Sequence, residues 1–209
     1  MVAAFAGLRP LVAEDEGRST SGVSREHRIF TSSGGLLSIG GGKYTTYRSI
    51  AEEVADRVCS LLGGSRGRCL TGRIPLPGGA TGDFGAFVRR NLAEQVGKVG
   101  LPARTVQRFL ARYGSRTGAL LEMLCAEPDL ARPVRAGSSL LALEVAYSCE
   151  REFARTPEDV LRRRTSLALG PGRGLPELEA VAELLARRQG RSTVPGTWLT
   201  DYRNRYAKL

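Results

Sequence analysis

Residues 64–82, GSRGRCLTGRIPLPGGATG, hold six glycines and two prolines in nineteen positions. Neither helix nor strand persists through that density, because glycine resists ordering and proline fixes φ while removing a donor. The hydrophobic pattern also changes across this stretch. Before it lie short strand-like runs at 2–6, 28–31 and 36–39. A helical pattern then starts near Thr45, with apolar residues at Ile50, Val54, Val58, Leu61 and Leu62, and stops at Gly63 and Gly64. Beyond the stretch, apolar residues recur at helical intervals over 83–97, 102–113, 115–126, 139–154, 157–169 and 176–189. The expected architecture is therefore mixed. Short β-strands plus one helix occupy 1–63, a Gly/Pro-rich linker covers 64–82, and an all-α domain of five to seven helices fills 83–209.

One helix start is especially well marked. Thr156 is a suitable N-cap, Pro157 fits the first helical position, and Glu158 and Asp159 suit the positive end of the helix dipole. Asp159 and Arg163 stand four apart and can pair on one face. Glu144, Glu150 and Asp159 with Arg162 and Arg163 read as packing pairs, and Phe109, Tyr113 and Tyr147 as helical core.

Composition narrows the function classes. No apolar run approaches the roughly 20 residues that span a bilayer. The opening MVAAFAGLRPLV lacks a basic leader and reads as a strand, which gives a cytoplasmic expectation. Cys59, Cys69, Cys125 and Cys149 are scattered, and with His27 as the single histidine a metal site lacks ligands. His27 is read as structural. The net charge of +10 comes from 28 Arg and 3 Lys, spread along the chain and interleaved with acids. That dispersion argues against nucleic acid as a partner, while leaving a basic face for anionic lipid or acidic partners open.

The run Gly40-Gly41-Gly42-Lys43-Tyr44-Thr45-Thr46-Tyr47-Arg48 carries the chemical signal. A strand enters three glycines and a helix begins at the threonines, with Lys43 beside the helix start. Glycines let backbone approach a flat ligand, and the first-turn amides favour an electron-rich oxygen. Such a loop suits the N1/C2-carbonyl edge of a flavin, a phosphate, or simply a tight strand–helix turn. It is not a Walker loop.

AGLRPLV at 6–12, SREHRI at 24–29 and GLLSIGGGKYTTYR at 35–48 together resemble the closing segment of the FAD domain in aerobic glycerol-3-phosphate dehydrogenases. Ile74-Pro75-Leu76-Pro77-Gly78-Gly79 is similar to that family's linker, and EVAYSCEREFARTPEDVLRRRTSL at 144–167 resembles its C-terminal helical domain. The resemblance implies oxidation of sn-glycerol 3-phosphate to dihydroxyacetone phosphate with FAD, electrons passing to quinone. It implies substrate contacts from Arg9, Arg25 and Lys43. It implies flavin contacts from Gly41, Gly42, Lys43, Tyr44 and Thr45. Guanidinium groups suit a dianionic phosphate, and a cation suits charge developing on the flavin.

The sequence departs from the family in lacking a βαβ unit with GxGxxG, which grips the FAD pyrophosphate. The catalytic base would also lie upstream, so no residue here is assigned a catalytic role. Met1 falls inside what should be a domain, as a split gene or misassigned start would produce. The expected partners are the N-terminal FAD-binding half, glycerol 3-phosphate and quinone, with peripheral membrane contact and a homo-oligomer both open. Alone, the chain is expected to be inactive. The rival reading is a non-catalytic helical interaction module that docks on the flavin domain, another protomer or the membrane surface.

Overall fold

The computed structural model describes residues 6–8, 12, 26–65 and 67–207. They form two compact units divided between Pro75 and Leu76. The strand expected at 2–6 lies outside the described residues except for Ala6.

In the first unit, β1 (His27–Thr31) pairs antiparallel with β2 (Leu37–Gly41), His27 opposite Gly41 and Thr31 opposite Leu37. The turn between them closes locally: the Ser32 amide donates to the Leu36 carbonyl, and the Leu36 amide donates to Ser32 Oγ. A short 3-10 turn (Tyr44–Thr46) then feeds α1 (Tyr47–Leu61). His27 Nε2 lies 2.7 Å from Glu53 Oε2, which ties β1 to α1. An ionised carboxylate only accepts, so this imidazole nitrogen carries the hydrogen. Among the described residues of this unit none is buried.

The second unit is helical: α2 (Phe84–Val99), α3 (Ala103–Tyr113), α4 (Thr117–Ala126), α5 (Ala142–Arg151), α6 (Leu178–Arg188) and α7 (Gly196–Tyr206). Asp83 caps α2 by accepting from the Ala86 amide, and Gly100 ends it in a left-handed conformation. The core draws on Phe109, Leu120, Leu143, Tyr147, Leu161 and Leu185. Tyr113 stacks edge-on against both Phe109 and Tyr147.

Within that core Glu144 is fully buried. Arg108 donates to both of its oxygens, at 2.6 and 2.8 Å, and Arg112 adds a third bond at 2.8 Å. The Leu141 amide donates to Oε2 at 3.1 Å. A carboxylate without water needs this many donors to offset its desolvation. The result clamps α3 to the start of α5.

Two helical expectations need correction. The segment expected as a helix over 157–169 begins as expected, with the Thr156 hydroxyl accepting from the Asp159 amide and Asp159 accepting from the Thr156 amide. It then widens into a π-turn (Asp159–Arg164) and a separate 3-10 turn (Leu167–Leu169). Buried Thr165 accounts for the widening, since its amide and hydroxyl both donate to the Val160 carbonyl five residues back. α7 was not anticipated. Only Tyr202 and Tyr206 are buried on it, and it is anchored by distant partners: Tyr202 to the Arg173 carbonyl, Arg205 and Tyr206 to Glu158. Among the described residues, no helix is long and apolar enough to cross a membrane.

Glu144→Gln is expected to cost about 3 kcal/mol in urea unfolding, since two guanidinium groups lose their common anion in a dry site. Asp159 gives a pH test. Partial burial pushes its pKa up, but hydrogen bonds from Arg155, Thr156 and Arg163 outweigh that and leave it lowered. A lowered carboxylate pKa contributes stability above the unfolded-state value and loses it as pH falls through the folded value. The stability gap between wild type and Asp159→Asn, about 1 kcal/mol at neutral pH, should close below about pH 4. A pH series of thermal melts measures it.

Candidate functional site

β2 delivers Gly41 and Gly42 to the mouth of α1, and both take positive φ, 72° and 88°. The chain then reverses into Lys43, whose carbonyl accepts from the amide and the hydroxyl of Thr46. No side chain caps the 3-10 turn that opens the helix. Amides in a first turn have no acceptor within the helix, so this uncapped end keeps donors for an outside group.

An open recess of about 670 Å³ forms at this corner. Gly41, Gly42 and Lys43 make one wall, and Tyr44, Tyr47 and Ile50 continue the lining along the helix. The rings of Tyr44 and Tyr47 lie 5.9 Å apart, and their residues are 90% and 49% exposed. The volume suits a small-molecule ring system, and one cation at the edge of an apolar wall suits a planar ligand with an electron-rich rim.

The structure thus brings Gly41, Gly42, Lys43, Tyr44 and Thr45 together within one strand–helix corner, the first two and Lys43 and Tyr44 lining the recess. Arg9 and Arg25 lie outside the described residues. The glycines have a reason internal to the fold. A Cβ on Gly41 would stand 2.6 Å from the Glu26 carbonyl oxygen, and one on Gly42 would press Ile50 and His27 at 3.0 and 3.1 Å. Close approach by a ligand is therefore not required to explain them.

Arg48 closes the KYTTYR run but turns elsewhere. It donates to Glu52 at 2.6 Å and to Thr71 Oγ1 at 3.3 Å, and its hydrogen bond holds the Glu52 carboxyl below its usual pKa. Ile50 and Val54, which also line the recess, read in sequence only as a packing stripe, and Tyr47 only as part of the KYTTYR run. Their place around the open recess of the folded unit is what marks them.

Residues 69–194 match the family model for the C-terminal domain of alpha-glycerophosphate oxidase. The chain belongs to this family. It is 37% identical over 184 residues to glycerol-3-phosphate dehydrogenase 2 of Mycobacterium tuberculosis, covering 87% of this chain and 31% of that protein. It is likewise 37% identical over 168 residues to the aerobic glycerol-3-phosphate dehydrogenase of Bacillus subtilis, covering 77% and 30%. Among solved structures, the glycerol-3-phosphate dehydrogenase of Bacillus halodurans complexed with FAD superposes with a TM-score of 0.69 at 30% identity. That match takes in 87% of this chain and 36% of the solved one. The chain spans about a third of the length of the relatives it matches.

Gly41→Ala should disrupt the end of the hairpin, because the new methyl group meets backbone at a positive φ. Amide hydrogen exchange at Ile39–Gly41 is expected to rise at least tenfold, with exchange in α5 and α6 unchanged.

Proposed function

We propose that this chain supplies the closing wall of the flavin and substrate pocket, together with the helical C-terminal domain, of an FAD-dependent glycerol-3-phosphate dehydrogenase. The supporting observation is the corner at Gly41–Thr45. It joins an open apolar recess, an uncapped helix start and one lysine, in a unit whose described residues bury no core. Such a unit is half of a packing arrangement. The FAD-complexed relative gives the reading a cofactor.

FAD, when bound, would supply the hydride acceptor for C2 of glycerol 3-phosphate, and the hydroxyl proton would pass to a base contributed from outside this chain. The residues here do three things. The glycine wall and the Tyr44 and Thr45 amides would hold the ring edge and donate to the oxygen that gains charge. Lys43 sets a positive charge beside it, and with Arg9 and Arg25 holds the phosphate dianion by charge-assisted bonds. The tyrosine and isoleucine lining keeps water from the ring. Quinone as the electron acceptor, a peripheral position on the inner face of the cytoplasmic membrane, and inactivity of the chain alone all belong to this proposal.

A second reading has its own observation. All the buried core residues among those described lie between Val106 and Tyr206. A helical unit that packs itself could serve as an interaction module without catalysis.

Mixing separates the two. The chain combined with the N-terminal two-thirds of the Bacillus halodurans relative should quench FAD fluorescence and restore glycerol-3-phosphate-dependent dye reduction. Lys43→Ala should lower that turnover about 100-fold or more while leaving the melting of the helical unit unchanged. Quenching and turnover that fail to appear with a folded partner would favour the interaction module.

A further inference from the structure

The helical unit carries a second recess, of about 320 Å³, between the end of α3 and the end of α5. Arg112, Arg116 and Arg151 line it, with Tyr113, Glu152 and Phe153. Three guanidinium groups around one small cavity repel each other unless anions answer them. The fold supplies few. Glu144 is already held through both oxygens by Arg108, and takes only one bond from Arg112. Glu152 faces Arg164 at 3.7 Å, and its half-buried carboxyl has its pKa raised by desolvation, the charges of Arg164, Arg116 and Arg112 only partly countering this. Two carboxylates thus answer five arginines. Arg116 and Arg151 are exposed, and the guanidinium of neither makes a hydrogen bond or ion pair with another described residue.

Phe153 is the other anomaly. It holds φ at 58°, where a bulky side chain is disfavoured, yet it is 79% exposed. Folding the chain by itself gains little from an aromatic ring placed this way. The ring gains contact area only when something lies on it.

We propose that this recess binds a phosphate dianion, gripped by Arg112, Arg116 and Arg151, and prefers a phosphate monoester whose apolar body rests on Phe153. The excess of positive charge calls for more than one negative charge, and guanidinium forks match phosphate oxygens in pairs. The size of the cavity fits a small metabolite rather than a polymer. This assignment concerns the helical unit and does not rest on the flavin reading.

The test uses the full 209-residue chain. Inorganic phosphate at ten times its dissociation constant, with ionic strength matched by sodium chloride, should raise the melting temperature by about 4 °C. Phenyl phosphate should do so at several-fold lower concentration. Arg116→Gln combined with Arg151→Gln should abolish both shifts, and Lys43→Ala should preserve them. Phe153→Gly relieves the backbone, so it should raise the unliganded melting temperature, remove the preference for phenyl phosphate, and leave inorganic phosphate unaffected. Broadening of the phosphate ³¹P resonance provides the same readout for any variant that melts poorly. A shift no larger than that given by matched chloride overturns the proposal. So does a shift that survives in the double variant or vanishes in Lys43→Ala, which would move the anion to the strand–helix corner.

Discussion

A carboxylate sealed from water holds the helical unit together. Glu144 sits where α3, α5 and the segment entering α5 converge, and every donor it accepts from belongs to one of these. Its burial is tolerable only while Arg108 and Arg112 reach in from the surface, so the positions of α3 and α5 are coupled through charge as well as packing. Tyr113 and Tyr147, one from each helix, stack at the same junction. Other ion pairs tie further elements of the helical unit together. Arg188 bridges Glu127 and Glu150, and Glu158 gathers Arg163, Arg205 and the Tyr206 hydroxyl.

The first unit is built on another principle. Its hairpin and helix are joined by local turns and the His27–Glu53 contact, and Arg48 ties the helix to Thr71, with no sealed interior among the described residues. Phe30, Ile39, Tyr44 and Leu61 stay substantially open to solvent. The two units of one chain therefore place their hydrophobic surface in opposite ways, one inward and one outward. The recess at the lysine corner belongs to the outward-facing half.

What could be read from the sequence was what local physics determines. The two strands, the helix after the glycines and the capped start at Thr156 each depend on residues within a few positions of each other, and so does the Asp159–Arg163 pair. The partners of Glu144 stand 36 and 32 residues away, and nothing in spacing selects Arg108 and Arg112 from 28 arginines. The π-turn hides behind an ordinary helical pattern because its cause is one buried threonine. α7 packs Trp198, Leu199, Tyr202 and Tyr206 inward from an otherwise polar run of eleven residues, a short stripe that the surrounding charges mask in sequence. At the candidate site, the residue types were legible but the reason for the glycines was not. Their neighbours Glu26, His27 and Ile50 come together only in the fold.

The contrast in burial bears on how such a protein can be rearranged in evolution. A segment that seals its own interior can be moved, duplicated or fused to a new neighbour and still fold. A segment that leaves its apolar side outward gains from a covering surface and, moved without one, keeps that area in water. In this chain the change from one kind of segment to the other falls between Pro75 and Leu76, which makes that junction the natural place to cut or join it.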